Sequence, residues 1–298
     1  MKVQAKMFQH RVQRGRELMK DSSVVICSLV RDCEQSLKQN IPNVEKLRNS
    51  FKDSHVVLVE NDSKDRTKEF LADWALNSSN IHVISEDFGT VTIPEASFSH
   101  PKSKYFSRHR IEKMAKYRNV YLDYVRAGNF KPDFMIMVDL DVYSFPIKGI
   151  ETSFGFEQKW DSINANGKKI TPQSPMKPVF YDTFAFQEWG DDKPLQYNTL
   201  KKNQLKFAKL NEGDDFIKVK SGFNGLAIYK WGSISQLTYK AIPNEDDIVL
   251  FKCEHITFHE EMIKNGNSEI FLNPSMIVKY EKLGLKLYSD KIKEKLRK

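Results

Sequence analysis

An acidic pair, Asp139 and Asp141, stands directly behind five apolar residues, Phe134-Met135-Ile136-Met137-Val138. In an extended chain residues i and i+2 project to the same side, so both carboxylates can face one ion. Two carboxylates suit Mg²⁺ or Mn²⁺, which keeps further positions for water and phosphate oxygens. The alternative is a solvated turn behind a buried strand, where Asp is common. A second constellation, Glu60-Asn61-Asp62-Ser63-Lys64-Asp65-Arg66-Thr67, follows another apolar run. Asp65 is placed to cap a helix and Ser63 to close the turn, which leaves Glu60 and Asn61 to hydrogen-bond a base or ribose.

Other residues invite the same question. Arg118 falls on the apolar stripe formed by Ile111, Met114, Ala115, Leu122 and Val125. A guanidinium there snorkels past the core edge or meets an anion, because an unpaired buried charge is too costly. That anion is a structural carboxylate, a site carboxylate or a diphosphate. His255 and His259, four apart, share a helix face as two metal ligands could, although no His-Glu-x-x-His is present. Asn224 lies between Gly222 and Gly225, where small residues let the backbone approach a ligand. Asp182, Glu188 and Trp189 can bind sugar hydroxyls and stack on a pyranose, yet residues 181–186 also read as a core strand.

The elements that must position these groups alternate along the chain. Apolar runs at 24–30, 56–59, 81–84 and 134–138 predict strands. Between them the pattern predicts a helical stretch to about residue 51, interrupted near Pro42, a helix from near Asp65, and a long helix over 107–126 ending at Gly128. This alternation predicts an α/β fold with a Rossmann-type, mostly parallel central sheet and helices on both faces. Ligands of such sheets bind beyond the carboxyl ends of the strands, where Ser28 and Arg31 stand for the first strand. After Phe145 shorter strands at 179–186, 216–219, 226–229 and 270–272, with a helix near 257–265, predict a mixed extension. The expected organisation is a basic lead-in over 1–21 with no clear core face, a nucleotide-binding half over 22–145, an acceptor half of the same domain over 146–282, and a basic tail over 283–298.

Composition sets outer limits. The 298 residues carry a net charge of +8, with 40% hydrophobic and 29% charged residues, which excludes a disordered or collagen-like chain. Three cysteines without a CxxC spacing argue against a disulfide framework or a zinc ribbon. No run approaches the roughly 18 apolar residues of a membrane span, and 1–20 lacks the apolar core of a secretory signal. A complete chain of this kind is expected to be cytoplasmic. The cluster Lys291, Lys293, Lys295, Arg297 and Lys298 reads as a solvated helix end or as a peripheral contact with anionic lipid headgroups. No nucleic-acid-binding signature accompanies the charge.

Taken together these motifs resemble the nucleotide-sugar glycosyltransferases of GT-A fold, over residues 24–280. The segment 59–67 is similar to their Val-Asp-Asp-Gly-Ser-x-Asp-x-Thr pattern, Asp139-Leu140-Asp141 to their Asp-x-Asp, and Glu254-His255 with Gly266, residues 270–272 and Pro274 to their acceptor-side motif. Tyr117-Arg118-Asn119, residues 181–185, Phe223-Asn224-Gly225-Leu226 and Cys253-Glu254-His255 further resemble the fungal capsule-associated α-1,3-mannosyltransferases and their bacterial and viral relatives. The resemblance implies a metal-dependent hexosyltransferase of polysaccharide biosynthesis. It would use Mn²⁺ or Mg²⁺, a nucleotide-sugar donor with GDP-mannose the first expectation, and a glycan or lipid-linked glycan acceptor. It implies Glu254 and Asp182 as catalytic groups. Donor contacts would come from Ser28, Arg31, Glu60, Asn61, Arg118, Asn119 and Asn224. Asp139 and Asp141 would hold the metal, with His255 or His259 completing the shell.

The runner-up is a phosphatase of the haloacid-dehalogenase type, with Asp139 as nucleophile and Gly213-Asp214-Asp215 as its second acidic motif. That family places its Asp-x-Asp after the first strand, whereas three strands precede Asp139 here. A sugar nucleotidyltransferase would need a Gly-rich loop after the first strand, where this chain reads Ser28-Leu29-Val30-Arg31-Asp32. A non-catalytic carbohydrate-binding protein would bind sugar without metal-dependent release of nucleotide.

Overall fold

A computed structural model describes residues 2–281 except 92, 94–96 and 172–173. The basic tail and its proposed membrane contact lie outside the described residues. Helix α1 (Lys2–Asp21) leads into strand β1 (Ser23–Val30), α2 (Glu34–Arg48), β2 (Asp53–Asn61), α3 (Thr67–Asn77), β3 (Ile81–Glu86), α4 (Arg108–Ala127) and β4 (Phe134–Val138). The second half comprises α5 (Ile147–Phe154), β5 (Ser162–Thr171), β6 (Ser174–Phe180), β7 (Gln187–Glu188), α6 (Tyr197–Lys206), β8 (Ile217–Ser221), β9 (Leu226–Lys230), α7 (Trp231–Ile234), α8 (Glu254–Lys264) and β10 (Ile270–Lys279).

The strands form one sheet in the order β3-β2-β1-β4-β9-β5-β10-β8-β7, with β6 beside β5. The pairs β3-β2, β2-β1 and β1-β4 are parallel, as the alternation of strands and helices requires. Beyond β4 the sheet turns mixed, with β9 antiparallel to both β4 and β5 and β10 parallel to β5. Apolar runs without polar alternation arise because the strands are covered twice. Val25 and Cys27 of β1 pack with Tyr121 and Leu122 of α4, while Val24 and Ile26 pack with Leu37 and Leu47 of α2 and Trp74 of α3.

Three local expectations need correction. Pro42 does not interrupt α2, since it lies exposed inside a continuous helix and the carbonyl it deprives of a partner faces water. The lead-in is also part of the packed body. Helix α1 buries Phe8, Val12 and Met19 and crosses α5 so closely that a Cβ on Gly15 would stand 1.8 Å from the Glu151 carbonyl oxygen. Finally, residues 181–186 are no strand. They form a loop after β6, in which Asp182 takes the left-handed φ of 65°.

Candidate active site

The strand order reverses between β1 and β4, because β1, β2 and β3 run outward on one side while β4 is added on the other. Such a switch point leaves a crevice at the carboxyl edge. The loops after β1 and β2 are tied together at this edge. The Asp32 amide donates to Ser63 Oγ at 3.1 Å, and the Lys64 amide donates to Asp32 Oδ1 at 2.7 Å. Asp65 lies one residue before the N-cap of α3, Arg66, and accepts from the amides of Thr67 and Glu34, so it ties the starts of α3 and α2 together.

The loop carrying Asp139 and Asp141 is held from both ends. The Asp139 amide donates to the Gly225 carbonyl at 2.9 Å. Helix α2 then grips the following residues through one polar face. Asn40 Nδ2 donates to the carbonyls of Leu140 and Val142 at 2.9 and 2.7 Å, Ser36 to Asp141, Gln39 to Tyr143, and Asn43 to Phe145. The spacing 36, 39, 40, 43 is the i, i+3, i+4, i+7 pattern of a helix face.

This edge opens into a cavity of about 430 Å³, within the range of small-molecule sites. Asp32, Asp139, Asp141, Asp182 and Glu254 supply its carboxylates, and Arg31, Arg110, Lys113 and Arg118 its cations, with Arg31 3.4 Å from Asp32. Burial, then Asp141, pushes the Asp139 carboxyl well above the usual carboxylate range. Asp141 keeps solvent contact at the mouth, yet the surrounding walls desolvate it enough to raise its pKa as well. Neither carboxylate is in an ion pair among the described residues. Two neighbouring carboxylates without a direct ion-pair partner are a donor set suited to a hard divalent cation. No group of three or more His, Cys, Asp or Glu side chains able to hold a metal occurs among the described residues.

The opposite wall is built by α4 and α8. Arg118 Nε donates to Glu254 Oε1 at 3.1 Å, and its guanidinium lies 4.9 Å from the centre of the Phe223 ring. Among the described residues the Asp182 carboxylate accepts one hydrogen bond, from the Asn224 amide at 3.4 Å; burial, then Glu254, raises its pKa to about 6. The His255 ring stacks on Phe223 with centroids 4.1 Å apart, and burial followed by Arg118 pushes its pKa well below the ordinary histidine value. Both of its ring nitrogens are buried without a hydrogen-bond partner among the described residues, with Nε2 4.0 Å from Glu254 Oε1, and the residue lines the cavity. On the remaining side, burial and then Arg31 and Arg110 lower the Lys113 pKa, the mark of a concentrated positive potential. An anion the size of a diphosphate suits that wall.

The structure therefore gathers Asp139, Asp141, Asp182, Glu254, His255, Arg118, Arg31 and Asn61 around one cavity. It does not bring the other expected residues to the wall. Ser28 is buried and donates to the Leu29 carbonyl. Glu60 is turned into the fold, accepting from the Ser63 amide at 2.9 Å and from the Ser85 hydroxyl. Asn119 pairs with the backbone of Tyr239 through both ends of its amide. Asn224 acts through its backbone, with φ 60° and its amide on Asp182. His259 has one ring nitrogen 2.9 Å from Ser221 Oγ and the other 3.2 Å from Tyr229 Oη, so neither is free for a metal. Arg110 and Lys113 were not expected, although their signal was present: residues 110, 113, 117 and 118 form one face of α4.

Comparison with known families establishes the class, a glycosyltransferase. The family model described as Cryptococcal mannosyltransferase 1 matches residues 23–261, and the chain belongs to that family. No curated protein sequence matches the chain. Among solved structures, the chain is similar to a mannosyltransferase from Pyrobaculum calidifontis in complex with GDP-mannose and Mn²⁺, at 9% identity and TM-score 0.48 over 99% of this chain and 73% of that one. It is similar to TarS 1-349 of S. aureus at 16% identity and TM-score 0.45, over 87% and 60% of the two chains. It is also similar to glucosyl-3-phosphoglycerate synthase from Mycobacterium tuberculosis, at 10% identity and TM-score 0.45, over 96% and 83%. The phosphatase alternative is not supported. Family membership points elsewhere, and Gly213-Asp214-Asp215 lies against α1, away from the Asp139 cavity.

Proposed function

We propose that the protein transfers a hexose, with mannose from GDP-mannose as first choice, to a glycan or lipid-linked glycan in polysaccharide synthesis. The observation that carries this reading is the pair Asp139 and Asp141, in no direct ion pair among the described residues, in one cavity with the cationic wall of Arg31, Arg110 and Lys113. Family membership supports the choice of mannose.

Asp139 and Asp141 would hold Mn²⁺ or Mg²⁺, which when bound supplies Lewis-acid neutralisation of a departing diphosphate. The chain's own groups do the rest. Arg31 and Arg110 bind the diphosphate oxygens, and Lys113 adds charge from α4. Asn61 hydrogen-bonds the nucleoside. Glu254, fixed by Arg118, orients the acceptor hydroxyl. Asp182, whose carboxylate carries one weak amide contact, is the group free to exchange a proton near neutral pH. His255 presents a neutral imidazole, one nitrogen donating and the other accepting, for sugar hydroxyls. The division between 22–145 as donor half and 146–282 as acceptor half follows this placement.

A thermal-shift screen tests the reading. GDP-mannose with Mn²⁺ should raise the melting temperature more than either alone, because only the native state binds them. A set of nucleotide sugars that leaves it unmoved with and without Mn²⁺ contradicts the assignment.

A further inference from the structure

A second cavity of about 920 Å³ adjoins the first and shares Asp182, Tyr181, Phe184 and Arg110 with it. Its walls come from β5, the loop after β6, α6, the start of α4 and the short 3₁₀ turn Ser103–Phe106. Its position places Asp182 between whatever fills each space.

The lining has an unusual charge. Four cations, Lys102, Arg110, Lys169 and Lys201, face one carboxylate, Asp182. None of the four is in an ion pair among the described residues. Three of them lie over aromatic rings instead. Lys201 Nζ is 4.4 Å from the Tyr197 ring centre, Lys169 Nζ 4.5 Å from Tyr181, and Lys102 Nζ 5.7 Å from Tyr105. Ammonium groups held over these rings keep their charge near the groove and suit an oxyanion on a sugar seated beside them. Surplus cations lining a concave wall concentrate anions there.

We infer that this groove binds an acceptor saccharide bearing an oxyanion, a phosphate or a uronate, and delivers its hydroxyl to Asp182. The inference rests on the glycosyltransferase reading for the direction of transfer, while the binding preference rests on the groove alone.

Calorimetric titration of the full chain tests it, with four probes: mannobiose, mannobiose phosphate, a glucuronic-acid-bearing mannobiose, and inorganic phosphate. The charged saccharides should bind roughly tenfold more tightly than mannobiose at low salt, and the gap should close towards 0.5 M NaCl as the charges are screened. A response to mannobiose phosphate alone identifies a phosphosugar acceptor, and a response to the uronate alone an acidic polysaccharide; either supports the proposal. The K102Q/K201Q variant, with both changes at exposed positions, should lose the preference while its circular-dichroism melt stays unchanged. Equal affinity for neutral and charged sugars overturns the proposal. So does a preference that survives in K102Q/K201Q, or inorganic phosphate binding as tightly as the sugars. The thermal shift with GDP-mannose separates the two readings. A shift without acidic-sugar preference sinks only the groove assignment, and the preference without a shift leaves the groove and sinks GDP-mannose as the donor.

Discussion

Arg118 and Glu254 meet at 3.1 Å across 136 residues of chain, with side-chain exposures of 6% and 5%. The pair joins α4 to the first residue of α8 and thereby closes the cavity wall between the two halves of the sheet. A buried pair gains little over an apolar replacement, but removing one partner strands a charge. Arg118→Met should therefore cost about 3–5 kcal/mol in urea unfolding. Arg118→Met/Glu254→Leu should cost less than Arg118→Met alone. Additive losses in the double-mutant cycle would show that the two groups do not interact.

Asp182 sets a pH dependence. Its folded pKa of about 6 lies above the ordinary carboxyl value, so the native state holds this proton more tightly than the unfolded chain. The stability it contributes is present at low pH and is lost as pH rises through about 6. Asp182→Asn, which tolerates the φ of 65°, should raise the melting temperature at pH 7.5 in metal-free buffer and abolish transfer. In the wild type, kcat/KM should fall below pH 6 as Asp182 protonates. An acid limb that persists in a variant still active without this carboxylate would assign the proton exchange to another group.

The metal-carrying loop depends on α2. Replacing Asn40 by Leu removes the donor to two carbonyls, Leu140 and Val142, and should cost about 1–3 kcal/mol in stability. It should also weaken Mn²⁺ binding, read by calorimetry, because the two carboxylates are no longer fixed. Unchanged Mn²⁺ affinity in Asn40→Leu would mean that the loop holds its shape without this clamp.

His259 provides a contrast. Its ring is engaged by Ser221 and Tyr229, and burial lowers its pKa to about 3. His259→Gln should reduce the melting temperature and leave Mn²⁺ affinity unchanged. A large loss of Mn²⁺ affinity in a folded His259→Gln protein would restore it to the metal shell.

The parallel half was legible because each strand is an uninterrupted apolar run followed by polar residues, as Phe134–Val138 before Asp139 illustrates. Strand β5 was not, since Ser162, Asn164, Asn166 and Lys168 carry no apolar pattern. Their side chains lie buried, and Asn164, Asn166 and Lys168 donate to the carbonyls of Phe271, Pro274 and Ala208. Such a polar spine is stable only through tertiary partners that a sequence pattern does not display. The same holds for Glu60, which looked available beyond the end of its strand but is used up by Ser63 and Ser85. The His255 and His259 pair shares a helix, yet only His255 reaches the cavity, because the helix face turns His259 towards β8 and β9.

The central claim is that Asp139 and Asp141 bind a divalent cation against the diphosphate of a sugar nucleotide. Titrating GDP-mannose into the Mn²⁺-loaded protein, the EDTA-treated protein and Asp141→Asn tests it most directly. Binding to the first should weaken at least tenfold in the other two, with the Asp141→Asn fold intact by circular dichroism. Equal affinity in all three would contradict it.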